Sequence, residues 1–535
     1  MPGKGGFSVG FVLLPAIGML LSLLLLTFAV RDNIGHGVTK VLKAISSRES
    51  RIKPHNMWSS ILTSAVTIGF GGSVGAEAPI VYTGAAIGSN IGRKAGLNFR
   101  SVTILVGCGA AGAVAGIFKA PLAGVLFTLE VLMFNISVTS MMPLLVSTVS
   151  ATVISYIFLG DTPFFQCSIP SFENSDLPSV LFLGVFCGLV SLYFQKSTLA
   201  LEDRLARLKN PWIRWAVCGV GLSLVILLFP PLFGEGYYSL GELLRGEDLV
   251  FRNGTPLGFL MDRSWGIPLF FALVMLLKVF SMTFTNSGGG VGGTFGPTLF
   301  VGGIAGFVLA RSLNLLSFGV SEQSFVLVGM AGVMAGVMQA PMTAIFLIAE
   351  ITGGYELFLP LIIVSTVSFI IVRTGEKYSI YTKRLAQNGE LLTHDSDHSV
   401  MTLMRTADLI RDKYPRIDRD ASLRELVNTF SSTSESAIAV VDSEGKYQGY
   451  IDIGIVHEYI FKYEDYDLLR VSDLMERRND VLRDNERIDE VMRKFDQSEV
   501  WRMPVVDENG KYLGFISRSR ILAAYRDKLK ELSED

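Results

Sequence analysis

Glu77 is the residue whose type and position most strongly suggest chemistry. It lies in the stretch Gly-Gly-Ser-Val-Gly-Ala-Glu-Ala-Pro at 71–79, which carries no other charge and lies among long apolar segments. An ionisable side chain at membrane depth is costly to bury and is therefore a functional candidate by default. Its carboxylate can exchange a proton or compete with an anion for backbone N–H groups. The alternative is a purely structural carboxylate that caps a helix N-terminus.

The same stretch also satisfies G-x-S-x-G, a pattern that marks serine nucleophiles in some hydrolases. Only His36 and His55 lie nearby in the sequence as bases. A related stretch at 289–297, Gly-Gly-Val-Gly-Gly-Thr-Phe-Gly-Pro, has valine at the serine position, which favours a shared backbone geometry. A membrane serine hydrolase is thus a distant alternative, and the membrane part carries no HExxH, P-loop or dinucleotide motif.

The elements that position these stretches are membrane helices. The 535 residues are 50% hydrophobic and only 18% charged, and the mean hydropathy is +0.43, which is typical of a multi-pass membrane protein. The net charge of -2 argues against nucleic-acid binding. We expect no metal site, cofactor or disulfide, since the four cysteines show no CxxC pairing. The apolar runs lie near 7–30, 61–70, 101–158, 178–196, 214–234, 265–286, 298–312, 324–350 and 356–373.

The composition changes abruptly near Lys383, and the part after it is a charged α/β module. The segment AVVDSEGKYQGYID at 439–452 matches PVVDENGKYLGFIS at 504–517, and each predicts a strand, a turn and a second strand. The pair resembles tandem cystathionine-β-synthase-type (CBS) domains. The basic loop at 40–55 and this charged module predict a cytoplasmic side for both, with Met1 outside.

A second repeat runs through the membrane part. Segment 109–131 aligns without a gap on 329–351, and 71–79 aligns on 289–297. Glu130 thereby falls opposite Glu350, which predicts a structural role for both at matching helix positions. Repeats broken by glycine and proline at corresponding positions predict a transporter whose site lies where the repeats meet.

These residues resemble the CLC family of chloride channels and proton-coupled anion antiporters over the whole chain. The family's three anion-binding stretches appear in order, as Gly-His-Gly-Val at 35–38, Gly-Ala-Glu-Ala-Pro at 75–79 and Gly-Thr-Phe-Gly-Pro at 293–297. The resemblance implies an all-α membrane domain of two inverted repeats and a homodimer formed through it. It implies that Glu77 is a gating glutamate and that Tyr381, rather than Tyr378, is the anion-coordinating tyrosine.

The physical reason for such stretches is that a dehydrated anion needs polar partners that do not hold it too firmly. Backbone N–H groups at helix N-termini provide this moderate attraction, and glycines allow close approach. The predicted anion-binding residues are His36, Gly37, Val38, Gly75, Ala76, Thr294, Phe295, Gly296 and Tyr381.

The sequence departs from the family pattern at several positions. His36 replaces a serine that many members have, so it either donates an imidazole N–H to the anion or merely fills space. Ala76 replaces an arginine, which predicts weaker local attraction for anions. Val131 stands where coupled antiporters carry an intracellular proton-transfer glutamate. The resemblance also implies a membrane-spanning helix, usually preceded by a short cytoplasmic one, upstream of the span at 7–30, and this sequence leaves no room for either. We therefore expect either that the sequence starts too late or that the protein is shortened at this end.

The loss of that glutamate makes a gated chloride channel the leading expectation, in a plasma membrane. A proton-coupled antiporter is the alternative, and a fluoride-selective variant is more distant. The predicted organisation is a membrane domain at 1–385, a linker at 386–400, and CBS domains at 401–465 and 466–530. In many CBS pairs a Ser/Thr followed three residues later by Asp binds adenine nucleotides. The corresponding pairs here are Asp452 with Ile455 and Ser517 with Arg520, so nucleotide binding should be weak or absent.

Overall fold

The structure is a computed structural model that describes residues 9–32, 34–35, 37–47, 50–132, 138–160, 164–165, 176–387, 404–410, 414–477, 480–498 and 500–533. The chain forms two compact units, Met1–Leu391 and Leu392–Asp535. The predicted linker at 386–400 lies for the most part outside the described residues.

The described part of the first unit is helical. Its helices are α1 (Val9–Leu24, continued by a π turn at Leu25–Val30), α2 (Gly37–Ser47), α3 (Ser59–Gly69), α4 (Glu77–Lys94), α5 (Phe99–Phe118), α6 (Pro121–Glu130), α7 (Val138–Leu159), α8 (Leu177–Ala206), α9 (Pro211–Leu228), α10 (Tyr237–Leu244), α11 (Gly266–Ser287), α12 (Phe295–Leu315), α13 (Glu322–Met338), α14 (Pro341–Ile351), α15 (Phe358–Gly375) and α16 (Ile380–Gln387). Within the described residues, eight helices are long and apolar enough to cross a membrane, and shorter apolar helices lie among them. A multi-pass membrane domain is therefore confirmed.

The short helices arise where the two repeats break. The apolar run 101–158 contains α5, α6 and α7, and the run 324–350 contains α13 and α14. Lys119 and Gln339 occupy equivalent positions and both adopt left-handed backbone conformations, with φ of 54° and 53°. A proline opens the next helix two residues later in each repeat, as expected of a residue that lacks an N–H.

The two repeats run in opposite directions where α6 and α14 meet. The Glu130 carboxylate, at the end of α6, accepts the N–H groups of Met342 and Thr343 at 3.0 and 2.7 Å, and also the Thr343 hydroxyl at 2.7 Å. Glu350, near the end of α14, accepts the N–H groups of Leu122 and Ala123 at 3.0 and 2.9 Å. Each carboxylate thus satisfies orphan donors and the positive dipole end of the other helix. The structural role predicted for this pair is confirmed.

Glycine contacts bring the helices of each repeat close together. A Cβ on Gly84 of α4 would lie 2.1 Å from the carbonyl oxygen of Gly109 on α5. In the second repeat a Cβ on Gly302 of α12 would lie 2.4 Å from the carbonyl oxygen of Gly329 on α13. Close backbone approach through small residues is how membrane helices gain packing energy where lipid supplies no hydrophobic drive. These two tight pairs hold α4 and α12, the helices that begin at the candidate site.

The second unit contains two similar three-stranded sheets. Its strands are β1 (Arg416–Asp418), β2 (Ala437–Val441), β3 (Tyr447–Asp452), β4 (Leu482–Arg483), β5 (Arg502–Val506) and β6 (Tyr512–Ser517), and its helices are α17 (Thr406–Leu409), α18 (Leu423–Ser431), α19 (Ile453–His457), α20 (Val471–Leu474), α21 (Ile488–Ser498) and α22 (Arg518–Ser533). In each sheet the first strand is parallel to the central strand and the third is antiparallel to it. The turns meet at equivalent positions, since Tyr447 N–H donates to Gly510 and Tyr512 N–H donates to Gly445, both at 3.1 Å. The predicted α/β module is confirmed.

Candidate anion-binding site

The candidate site lies where the two repeats meet. Gly75 and Gly293, which are equivalent in the repeat alignment, exchange both backbone hydrogen bonds, at 3.1 Å from Gly75 N–H and 2.7 Å from Gly293 N–H. Helix α4 begins two residues after Gly75, and α12 begins two residues after Gly293. The bridge therefore brings the N-termini of two helices together, and both have first-turn N–H groups without an intrahelical partner and a positive dipole end.

The Glu77 side chain lies inside this junction and is 2% exposed. Its Oε2 accepts the N–H of Gly296, in the first turn of α12, at 3.2 Å. Its Oε1 accepts a hydrogen bond from the Tyr237 hydroxyl, at the start of α10. The carboxylate thus uses a backbone donor of the opposite repeat in addition to lying at the start of its own helix. A pure cap of α4 would not reach across in this way.

Glycines create the space that this carboxylate fills. A Cβ on Gly75 would lie 2.1 Å from Glu77 Oε2, and a Cβ on Gly296 would lie 3.1 Å from Oε1. Any larger residue at Gly75 would displace the carboxylate from its place between the two helix ends. The same space would admit a small anion against the same backbone once the side chain withdrew.

Tyr381 and α2 approach the junction from other parts of the chain. The Tyr381 hydroxyl accepts a hydrogen bond from Thr294 Oγ1 at 3.1 Å, and the tyrosine is 3% exposed. Tyr378 is more exposed and packs at the edge of the core. Helix α2 begins at Gly37, where a Cβ would lie 2.4 Å from the carbonyl oxygen of Ala78 in α4. The structure therefore brings these predicted residues to the same junction, except that His36 lies outside the described residues.

Two further predicted positions at this junction, Val38 and Phe295, are expected to contribute their backbone N–H groups. Val38 is 1% exposed in the first turn of α2, and Phe295 is 2% exposed as the first residue of α12. The Phe295 ring stacks on Phe118 at 5.4 Å and meets Phe127 edge-on at 6.1 Å. This aromatic packing helps to fix the start of α12.

Three further charged or polar side chains at this junction were missed by the sequence interpretation. They are Glu235 and Tyr237, in the short segment before and at the start of α10, and Lys278 in α11. Glu235 Oε1 accepts the N–H of Ala76 at 2.9 Å. Lys278 is fully buried and interacts electrostatically with both Glu235 and Glu77. Lys278 therefore places a basic side chain of α11 near this junction.

The sequence did carry a signal for Lys278. It is the single Lys, Arg, Asp or Glu in the apolar run 265–286, and the reasoning that selected Glu77 applies to it equally. Nothing comparable marks Glu235, which follows an ordinary loop glycine. Its contact with Ala76 spans 159 residues and is visible only in the fold.

The serine of the G-x-S-x-G pattern has a structural setting. Ser73 is fully buried, and its hydroxyl donates to the Leu232 carbonyl at 2.7 Å and accepts from Lys278 Nζ at 2.9 Å. His55 instead contacts Ser59 and Asp32. The serine therefore ties the 71–75 stretch to its neighbours.

Val131 lies just past the end of α6, is 3% exposed and belongs to the large apolar core. The carboxylate beside it, Glu130, is fully engaged at the start of α14. The side chain of Val131 therefore cannot accept a proton.

A family model described as voltage gated chloride channel matches residues 17–373, and a CBS-domain model matches residues 407–461 and 471–527. The chain belongs to the CLC family. Members of this CLC family are channels or transporters rather than enzymes, so the hydrolase alternative is set aside. The chain is accordingly a multi-pass membrane protein of an anion-transporting family, with a tandem CBS pair at its C-terminal end.

Two curated relatives illustrate the breadth of the CLC family. The chain is 28% identical over 376 residues to chloride channel protein CLC-e of Arabidopsis thaliana, which covers 66% of this chain and 50% of that protein. It is 27% identical over 391 residues to a putative ClcB-like chloride channel protein of Ralstonia nicotianae, covering 70% of this chain and 86% of that protein. The match thus spans half the length of the plant relative.

Two solved CLC structures have the same fold. A slow cyanobacterial Cl⁻/H⁺ antiporter superposes with a TM-score of 0.59 at 22% identity and covers 71% of this chain and 87% of its own. A CLC-type fluoride/proton antiporter superposes with a TM-score of 0.56 at 25% identity and covers 69% of this chain and 86% of its own. These likenesses show that the membrane unit has the CLC fold.

Proposed function

We propose that this CLC protein is a gated chloride channel in which Glu77 is the gate. The observation that supports this most directly is the hydrogen bond from Gly296 N–H to Glu77 Oε2 at 3.2 Å. A carboxylate held on a donor that an anion would use must compete with that anion. Protonation of Glu77, or displacement of its side chain, then opens the site to chloride.

The proposed chloride-binding site lies where the helix N-termini meet the Tyr381 hydroxyl. It comprises His36, Gly37, Val38, Gly75, Ala76, Thr294, Phe295, Gly296 and Tyr381. Backbone N–H groups and a hydroxyl give a moderate attraction, since each hydrogen bond to a charged partner contributes roughly 1.5 to 3 kcal/mol. Such an attraction is strong enough to replace water and weak enough to permit release. No cofactor or metal is needed for this function.

Passive conduction is favoured over proton coupling by the environment of Val131. An intracellular proton path through this position has no acceptor side chain, and Glu130 beside it is held by α14. Proton-coupled chloride exchange is the alternative, and a fluoride-selective variant is a more distant one. The solved fluoride/proton antiporter, at 25% identity, supports keeping the coupled alternative.

We further propose that two copies form a homodimer through the membrane domain, in the plasma membrane, with the CBS pair in the cytoplasm. The basic loop at 40–55 supports this orientation, because cytoplasmic loops are enriched in lysine and arginine. We also propose that the CBS pair binds adenine nucleotides weakly or not at all. In support, Asp452 uses its carboxylate to cap α19 through Gly454 N–H at 3.0 Å, and Arg520 is exposed at the other position.

The test is a liposome assay that records chloride efflux and proton movement together. The channel proposal predicts chloride efflux with no uphill proton movement when a chloride gradient is imposed. Proton pumping against its gradient at a fixed ratio to chloride would establish the antiporter instead. Absence of chloride flux from properly folded protein would overturn both.

A further inference from the structure

Glu235 is a second carboxylate at the junction of the repeats. Its Oε1 accepts the N–H of Ala76 at 2.9 Å, and Ala76 is the residue immediately before α4. Glu77 in turn holds the N–H of Gly296 in the first turn of α12. A carboxylate thus accepts a backbone N–H at the N-terminus of α4, and a second carboxylate does so at the N-terminus of α12. The two acidic side chains come from different parts of the chain.

Lys278 fixes the segment that carries Glu235. Its Nζ donates to Ser73 Oγ at 2.9 Å, to the Gly234 carbonyl at 3.0 Å and to the Glu235 carbonyl at 3.1 Å. All three ammonium donors are therefore used, as a fully buried lysine requires. The lysine joins the 71–75 stretch to the segment before α10, so the Glu235 side chain starts from a fixed backbone next to Ala76.

The ionisation state of Glu235 changes the net charge that an anion meets at this junction. Three titratable side chains interact electrostatically with it, namely Glu77 from α4, Tyr237 from α10 and Lys278 from α11. With both carboxylates ionised and the lysine protonated, this group carries one net negative charge, which repels an entering anion. Protonation of either carboxylate makes the group neutral.

Exposure distinguishes the two carboxylates. Glu77 is 2% exposed, whereas Glu235 is partly exposed. A partly exposed carboxylate exchanges protons with water more readily than one that is almost fully buried. Glu235 is therefore placed to exchange protons with water more readily than Glu77.

We propose that Glu235 is a second, pH-sensitive carboxylate of the anion pathway, which occupies the Ala76 N–H until it is protonated or displaced. Lys278 is the positioning residue that holds it there. This proposal rests on the proposed anion conduction and adds to it a residue outside the three anion-binding stretches. It predicts that acid activation has two components, one from Glu77 and one from Glu235.

The test compares wild type with Glu235→Gln, Glu77→Gln and the double variant, with Glu242→Gln as the matched control. Glutamine keeps an oxygen for the Ala76 N–H but carries no charge. Glu242 is a buried carboxylate of α10 that pairs with Arg245 and makes no contact with these N–H groups. Chloride efflux from liposomes is measured at external pH values from about 5 to about 8, and chloride binding to the purified proteins is measured by calorimetry at both limits.

We expect Glu235→Gln to bind chloride about tenfold more tightly than wild type at the high pH limit, equivalent to about 1.4 kcal/mol. Glu77→Gln should keep a residual acid activation that is smaller in the double variant, and Glu242→Gln should match wild type. Glu235→Asp, which keeps the charge on a shorter side chain, should retain acid activation with higher efflux at neutral pH. The proposal is overturned if Glu77→Gln and the double variant have the same pH profile of chloride efflux and Glu235→Gln binds chloride as wild type does. The binding readout separates this result from a failure of chloride conduction itself, which would be seen as absent efflux in wild type.

Discussion

Replacement of Tyr237 by phenylalanine removes one of the two partners from outside α4 that hold the Glu77 carboxylate in the closed position. The Tyr237 hydroxyl donates to Glu77 Oε1, while Gly296 N–H donates to Oε2. A hydrogen bond to a charged acceptor contributes roughly 1.5 to 3 kcal/mol. Its loss should therefore favour chloride over the carboxylate by about 10- to 150-fold.

The assay is chloride binding and chloride efflux for Tyr237→Phe, with Tyr238→Phe as the matched control. Tyr238 is the adjacent residue, is 44% exposed and lies on the outside of α10. We expect Tyr237→Phe to bind chloride more tightly and to conduct more at neutral pH. The difference from wild type should shrink on acidification, because protonation of Glu77 already weakens its hold. Equal chloride affinities of Tyr237→Phe, Tyr238→Phe and wild type at neutral pH would refute the competition between carboxylate and anion.

Three other predictions concern the helix cap at Glu130, the histidine at position 36 and the CBS pair. Glu130→Ala leaves the first N–H groups of α14 without their acceptor and should lower the thermal stability of the detergent-solubilised protein more than Glu356→Ala does, since Glu356 is exposed in the turn before α15. Equal melting temperatures would count against the cap. His36→Ser should reduce any pH dependence of conductance between about pH 5.5 and 7.5, where an imidazole titrates; an unchanged profile would mean that the histidine only fills space. Calorimetry of the full-length protein with ATP should show no micromolar binding, and a micromolar affinity would contradict the reading of the CBS pair.

The repeat was predictable from sequence because both halves place glycines and prolines at equivalent positions. Pro121 and Pro341 open equivalent helices, and the left-handed residues before them occupy equivalent positions. The reciprocal contacts of Glu130 and Glu350 follow from placing acidic residues at the same position of two antiparallel helices. The inversion itself was inferred from the family resemblance, because an alignment of two repeat sequences does not show whether the repeats run in opposite directions in the fold.

The site was predictable where it consists of backbone and only in part where it consists of side chains. Glycines and prolines at 71–79 and 289–297 mark helix starts that must approach closely, and the Gly75–Gly293 bridge shows that they do. Glu235 and Tyr237 come from a segment with no such pattern. They reach the site because α10 packs against α12, and that packing is a tertiary property without a local signature.

In the proposed mechanism the Glu77 carboxylate and chloride compete for the same backbone donors. The most direct measurement is chloride efflux from liposomes containing wild type or Glu77→Gln, at matched protein density and several external pH values. Glutamine mimics the protonated side chain, so the variant should conduct at neutral pH at least as well as acidified wild type and should lose the Glu77-dependent part of acid activation. A Glu77→Gln protein that elutes from a sizing column as wild type does yet carries no chloride at any pH would contradict the claim.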